Sequence, residues 1–242
     1  MTAAFSKRVL AKTDSVIAPT AKVRDMLCRY GVDEHIAVIP SGLDLTRFES
    51  NPDNEEKAEA RKELRRSLGI NDDDRVLLFL GRLAKEKNIE ELLFLTAGLA
   101  CRHIKLLLVG DGVYRQELEA KAAELDLGDR VIFTGMIEPD DVAAYYAAGD
   151  VFVSASKSET QGLTYIEAMA AGLPLLCRED PCLAEVIEDG VNGLTYTDSG
   201  EFSQKLYTLL DDDSMRSSFG AKARETVFDK FSSTGFARNV LQ

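Results

Sequence analysis

Runs of Val, Leu, Ile and Phe alternate along this chain with segments whose apolar residues fall three or four apart, and few folds accept that rhythm. The runs are SVIA (15–18), IAVI (36–39), RVLLFL (75–80), IKLLLV (104–109), RVIFT (130–134), DVFVSA (150–155) and LPLLC (173–177). A strand that is apolar on both faces is buried on both, as in a parallel sheet with helices on either side. The intervening segments 21–30, 89–101, 113–126, 139–148 and 163–171 carry the helical period. Strand and helix in alternation make βαβ units, so the expected class is α/β, a doubly wound parallel sheet of Rossmann-like form.

The rhythm breaks once. IPSGLDLTRFESNPDNEEKAEA (39–60) contains Pro40, Gly42, Pro52 and a charged stretch. What precedes it is a short helix, strand, helix and strand, too small to enclose a core of its own. The expected organisation is therefore a remnant of another domain plus hinge (1–40), a Rossmann-like domain (41–220), and a helical segment (221–242). No run reaches the roughly 20 apolar residues of a membrane span, and the first fifteen residues lack the apolar centre of a signal peptide.

Charge and cysteine usage narrow the class further. A net charge of −12 argues against a nucleic-acid partner, because phosphate binding needs concentrated Lys and Arg. The balance is uneven: Lys7, Arg8, Lys12, Lys22, Arg24 and Arg29 face only Asp14 and Asp25 in the first thirty residues. Such a basic face is either solvated surface or a contact for an anionic membrane. The four cysteines form no CxxC, which fits a reduced, cytoplasmic protein with Cys28 and Cys101 as small apolar filler.

Three stretches have the residue types for chemistry. SETQGLTYIEAMAAG (158–172) places Glu159 and Glu167 on either side of Gly162, between a strand and a helix. A helix N-terminus offers free N–H groups and a positive dipole end to an anion. Thr164 and Glu167 also have capping-box spacing, which requires no ligand. Glu159 precedes the turn and has no capping role, whereas an ionised carboxylate grips a vicinal diol well. In FLGRLAKEKN (79–88), Gly81 ends a strand and Arg82 and Lys87 follow in one loop. They are either solvated surface charges or a pair that neutralises a diphosphate at the carboxyl end of the sheet.

LLLVGDGVYRQELE (106–119) offers Gly110 and Gly112 after a strand, as in a dinucleotide fingerprint, but Arg115 stands at the third glycine position. The ribose-binding acid expected about 20 residues on is absent from VIFTGMI (131–137), which disfavours NAD. The two glycines then serve a tight turn with backbone close to a ligand. His35 and His103 each stand alone, so neither a hydrolase triad nor a metal-ligand spacing is present.

Together, VIPSGLDLTRF, GRLAKEKN, LLLVGDG, VIFTGMI and SETQGLTYIEAMAAGLP resemble, in that order, the donor half of a retaining family 4 glycosyltransferase of GT-B architecture. SETQGLTYIEAMAAG is most similar to the bacterial diacylglycerol glucosyltransferases of that family. The resemblance implies that Arg82 and Lys87 bind the donor diphosphate beside Gly81 and Gly110. It implies that backbone at Gly135 and Met136 holds the base, Glu167 the ribose and Glu159 the donor sugar. N–H groups of Gly162, Leu163 and Thr164 would meet the distal phosphate, and Thr160 and Gln161 would select the sugar.

The implied substrate is UDP-glucose, with no metal or cofactor, and the implied acceptor is a membrane lipid reached by peripheral association. Complete members carry a first domain of similar size that binds the acceptor, so the chain is expected to be a truncated enzyme with little turnover alone. A nucleotide-binding module that acts only with a partner, or by self-association through residues 1–40, is the competing expectation.

Overall fold

The computed structural model describes residues 2–32, 35–49, 55–101 and 103–241. The chain begins α1 (Thr2–Leu10), β1 (Val16–Ala18), α2 (Ala21–Arg29), β2 (Ile36–Val38), and β1 and β2 pair in parallel as a small separate sheet. Thr20 starts α2 as its N-cap, accepting from the Val23 N–H. The hinge follows; its Pro52 lies outside the described residues. α3 (Glu55–Ser67) then leads into the main sheet.

The main sheet contains β3 (Arg75–Leu80), β4 (Ile104–Val109), β5 (Val131–Gly135), β6 (Val151–Ser154), β7 (Leu175–Arg178) and β8 (Gly193–Tyr196), all parallel, in the order β5-β4-β3-β6-β7-β8. Its connections are α4 (Ile89–Gly98), α5 (Arg115–Glu124), α6 (Val142–Ala148), α7 (Leu163–Ala170) and the short 3-10 turn Pro181–Leu183. α8 (Ser199–Asp211), α9 (Asp213–Lys230) and α10 (Ser233–Val240) complete the chain.

Alternate residues of the strands feed two cores. Val76, Leu78, Leu107, Phe152 and Leu175 pack with α6, α7 and α9 on one face. Leu77, Phe79, Leu106, Leu108 and Val153 pack with α4, α5 and α8 on the other. Burial on both faces is what unbroken apolar strands require. Because β3 pairs with both β4 and β6, the winding reverses between β3 and β6. The carboxyl end of that pair is the crevice where open α/β sheets take ligands.

Several expectations need correction. β8 was not foreseen, and the expected strand at 173–177 begins two residues later and ends at Arg178. Segment 139–148 divides into a 3-10 turn (Pro139–Asp141) and α6. Cys28 is exposed and so is not core filler, whereas Cys177 and Cys182 are buried. His103 does not stand alone: its Nδ1 lies 3.3 Å from Asp73 and 3.5 Å from Asp74, at the amino end of the sheet. Among the described residues no helix is long and apolar enough to cross a membrane.

Candidate active site

The site is assembled where β3 and β6 end. After β3, Gly81 turns the chain and Arg82 projects into solvent, 69% exposed and paired with Glu86 one turn on. Lys87 closes a 3-10 turn (Lys85–Lys87), and Asn88 then takes a left-handed conformation, φ +53°. Asn is among the few non-glycine residues that do so readily. The Asn88 carboxamide donates to the Ala155 carbonyl at 3.2 Å, fastening this loop to the one after β6. Across the gap, Lys87 Nζ donates to Glu159 Oε1 at 2.6 Å, with the carboxylate only 12% exposed.

Gly162 begins α7 at φ +73°, and a Cβ there would lie 2.8 Å from the Tyr165 ring. Glycine is thus required both by conformation and by space. The expected capping box does not form. Gly162 is the N-cap, Thr164 is already helical, and Glu167 turns elsewhere. Its Oε1 accepts from Arg47 at 3.1 Å and its Oε2 from the Tyr146 hydroxyl at 3.0 Å. Burial, reinforced by the Glu167 charge, pushes the Tyr146 phenol well above its ordinary range, so this hydroxyl keeps its proton and acts as a donor. The first N–H groups of α7, at Leu163 and Thr164, have no acceptor within the helix, and Thr164 lines the polar cleft described next.

Two clefts meet at Gly81 and Arg82. The smaller, about 230 Å³, is polar: Lys87, Ser154, Glu159 and Thr164 line it with Phe79, Leu80 and Tyr165. The larger, about 790 Å³, is apolar, bounded by Leu80, Val109, Gly110, Val113, Met136 and Ile137. Met136 is 81% exposed there, held out by Gly135 at φ +76°.

Gly110 and Gly112 line the larger cleft and also meet a steric need within the protein. A Cβ on Gly110 would lie 2.1 Å from the Gly81 carbonyl oxygen, and one on Gly112 would lie 2.2 Å from that of Leu83. They let two loops of the protein approach one another beside that cleft.

The structure thus brings Arg82, Lys87, Glu159 and Thr164 to one polar cleft, with Gly81, Gly110 and Met136 on the adjoining apolar one. Gly135, Gly162 and Leu163 are chain neighbours of these lining residues, and Glu167 lies a turn along α7, held by Arg47 and Tyr146. Gln161 departs from this set: its side chain is 4% exposed and its carboxamide bonds the backbone of Ser41. Thr160 offers its carbonyl to the Thr20 hydroxyl at 2.7 Å. Arg47 and Tyr146 went unassigned by sequence reasoning. Arg47 stands within the hinge stretch, 120 residues from Glu167, and Tyr146 sits in an alanine-rich helix whose spacing signals only packing.

Comparison with known proteins shows the family and the fold. Residues 60–226 match the family described as Glycosyl transferases group 1, and residues 1–47 that described as Glycosyltransferase Family 4. The alpha-monoglucosyldiacylglycerol synthase of Streptococcus pneumoniae is 38% identical over 96% of this chain and 56% of the relative. That of Acholeplasma laidlawii is 33% identical over 78% of this chain and 48% of the relative. The chain therefore spans about half the length of these curated relatives. Sucrose-phosphate synthase from Thermosynechococcus elongatus superposes with a TM-score of 0.86 at 29% identity, covering 99% of this chain and 60% of that one. Anabaena HepE, solved in complex with UDP-glucose, has the same fold (TM-score 0.86, 22% identity, 99% of this chain and 66% of that one).

Proposed function

The chain belongs to the glycosyltransferase group 1 family, and from that premise we propose that its crevice binds UDP-glucose and that the enzyme transfers glucose, with retention, to a hydroxyl of diacylglycerol. The observation that supports this reading is the meeting of Arg82, Lys87 and Glu159 with Thr164 of α7 in one polar cleft at the sheet's switch point. In this reading the uracil lies in the apolar cleft against Met136 and the backbone of Gly135 and Gly110. Glu167, oriented by Arg47 and Tyr146, accepts from the ribose hydroxyls. Arg82, Lys87 and the N–H groups of Gly162, Leu163 and Thr164 surround the diphosphate, and Glu159 grips the glucose. Lys87 has three donors, so it serves Glu159 and a phosphate oxygen together.

The chemistry follows from where charge develops. The bond from the anomeric carbon to the β-phosphate oxygen breaks, and negative charge grows on the leaving UDP. Fixed cations and helix N–H groups stabilise that charge, usually the largest contribution such a site makes. The acceptor oxygen attacks from the face the diphosphate leaves, and its proton passes to the departing phosphate oxygen. Arg82 and Lys87 fill the part a metal ion plays elsewhere, so turnover is metal-independent. Domain boundaries near residues 40 and 220 follow the same reading, as do a cytoplasmic setting and peripheral contact with the membrane that holds the acceptor.

A second reading, action only in association with a partner or another copy, is favoured by Phe5, Val9 and Ile17, apolar side chains left exposed in the first segment. Chromatographic mass at two concentrations separates it from the first. Transfer itself is tested by incubating the protein with UDP-, ADP- or GDP-glucose and diacylglycerol vesicles in EDTA. The expected result is an α-glucolipid, by its anomeric proton coupling, from UDP-glucose alone, formed far more slowly than by a relative that carries both domains. A β-product or a requirement for divalent metal contradicts the mechanism.

A further inference from the structure

The loop that carries Glu159 is held by residues of the first segment and of the hinge stretch. Gln161 Nε2 donates to the Ser41 carbonyl and its Oε1 accepts from the Ser41 N–H, each at 3.1 Å, so one side chain pairs with both backbone groups of a hinge residue. One residue earlier, the Thr160 carbonyl accepts from Thr20 Oγ1 at 2.7 Å, the same hydroxyl that caps α2. Three residues before that, the Lys157 carbonyl accepts from Lys22 at 3.3 Å, and Lys22 is anchored by both oxygens of buried Asp180 at 2.8 Å. Three ties thus reach residues 157–161 from segment 20–41, more than a hundred residues distant in sequence.

We propose that Gln161 is a positioning residue: its carboxamide latches the hinge at Ser41 to the loop between Glu159 and Gly162, and so sets where the carboxylate and the start of α7 lie. The inference rests on the donor-site reading above, but the latch itself does not. At 4% exposure the carboxamide is not presented to a sugar, and it has already used one donor and one acceptor on the hinge. Breaking the pair would leave the buried Gln161 carboxamide without its partners, so partial loosening is disfavoured and the loop is either latched or displaced. Motion of the hinge then reaches Glu159 directly, which couples the placement of segment 20–41 to the donor crevice.

The test uses Gln161→Leu and Gln161→Glu, with Thr20→Val as a second way to loosen the same loop. Hydrogen exchange of residues 156–162 is measured without ligand, and UDP and UDP-glucose are titrated calorimetrically. The latch predicts faster exchange confined to that loop and a loss of UDP and UDP-glucose affinity by the same factor, about tenfold, the size of one or two net hydrogen bonds. Gln161→Glu adds a signature that plain destabilisation lacks. Ionised, the new carboxylate faces the Ser41 carbonyl and repels it; protonated, it donates as the amide did. Its exchange and affinity, relative to wild type at each pH, therefore return as pH falls, whereas those of Gln161→Leu do not. Unchanged loop exchange, or loss of UDP-glucose affinity with UDP affinity intact, overturns the proposal and makes Gln161 a sugar contact. If the wild type binds no UDP, the donor reading fails, and loop exchange alone still decides the latch.

Discussion

Gly162 concentrates the site's geometry in one residue. Its φ of +73° and the 2.8 Å approach to Tyr165 leave no place for a side chain. Gly162→Ala is expected to cost about 1–2 kcal/mol from the left-handed backbone alone, read as a lower denaturation midpoint, and to weaken UDP further by shifting the first N–H groups of α7. Tyr146 makes a finer prediction. Tyr146→Phe keeps the packing but removes the hydroxyl on Glu167 Oε2, so UDP affinity falls by about 0.5–1.5 kcal/mol in calorimetry. Arg82, Lys87 and Glu159 could be singled out from the sequence because each lies in the loop that follows a strand, whereas Glu167 stands within α7. The side chains that support Glu167 could not be. Arg47 and Tyr146 meet Glu167 only through tertiary packing, and Thr164–Glu167 has capping-box spacing even though the helical segment 163–171 starts after Gly162 and already contains Thr164.

Helices and strands show the same division. β3 and β4 were plain because every residue from Val76 to Phe79 and from Ile104 to Val109 is buried. β8, with the sequence GLTY, begins on a glycine and buries only its ends, so it carries neither an apolar run nor an alternation. α3 was hidden in a charged stretch because it is a surface helix that turns mainly Arg65 and Leu64 inward. The amino end of the sheet opposite the site contributes stability. Asp150 accepts from the Val76 N–H at 2.7 Å and pairs with Arg61 and buried Arg65. Asp150→Ala leaves Arg65 buried without that counter-charge and should cost about 3–5 kcal/mol in urea denaturation, with UDP affinity of the folded fraction unchanged.

At the scale of the whole molecule, the carboxyl-terminal segment packs on the hinge. The Leu43 N–H donates to the Phe231 carbonyl and the Ser233 N–H to the Leu43 carbonyl. Gly42 allows this crossing, since a Cβ there would stand 2.7 Å from the Phe236 side chain. The sequence announced a hinge through Pro40 and Gly42 but not what packs on it.

The core also dictates a pH response. Burial raises the phenols of Tyr146, Tyr165 and Tyr196 above the ordinary 10.0, and the thiols of Cys177 and Cys182 above 9.0. All are neutral when protonated, so the unfolded chain releases these protons first as pH rises. Their contribution to stability is intact below pH 9 and declines above it. Urea midpoints should hold steady from pH 7 to 8 and fall from about pH 9 upward.

The most direct measurement of the donor site is calorimetric titration of this chain with UDP, alongside GDP, ADP and NAD, on the wild type, Arg82→Ala and Glu167→Ala. Selective UDP binding, weakened by about 1.5–3 kcal/mol in each variant as charged hydrogen bonds are lost, is the predicted result. Tighter binding of NAD, or UDP binding that neither substitution changes, would contradict a donor site built from these residues.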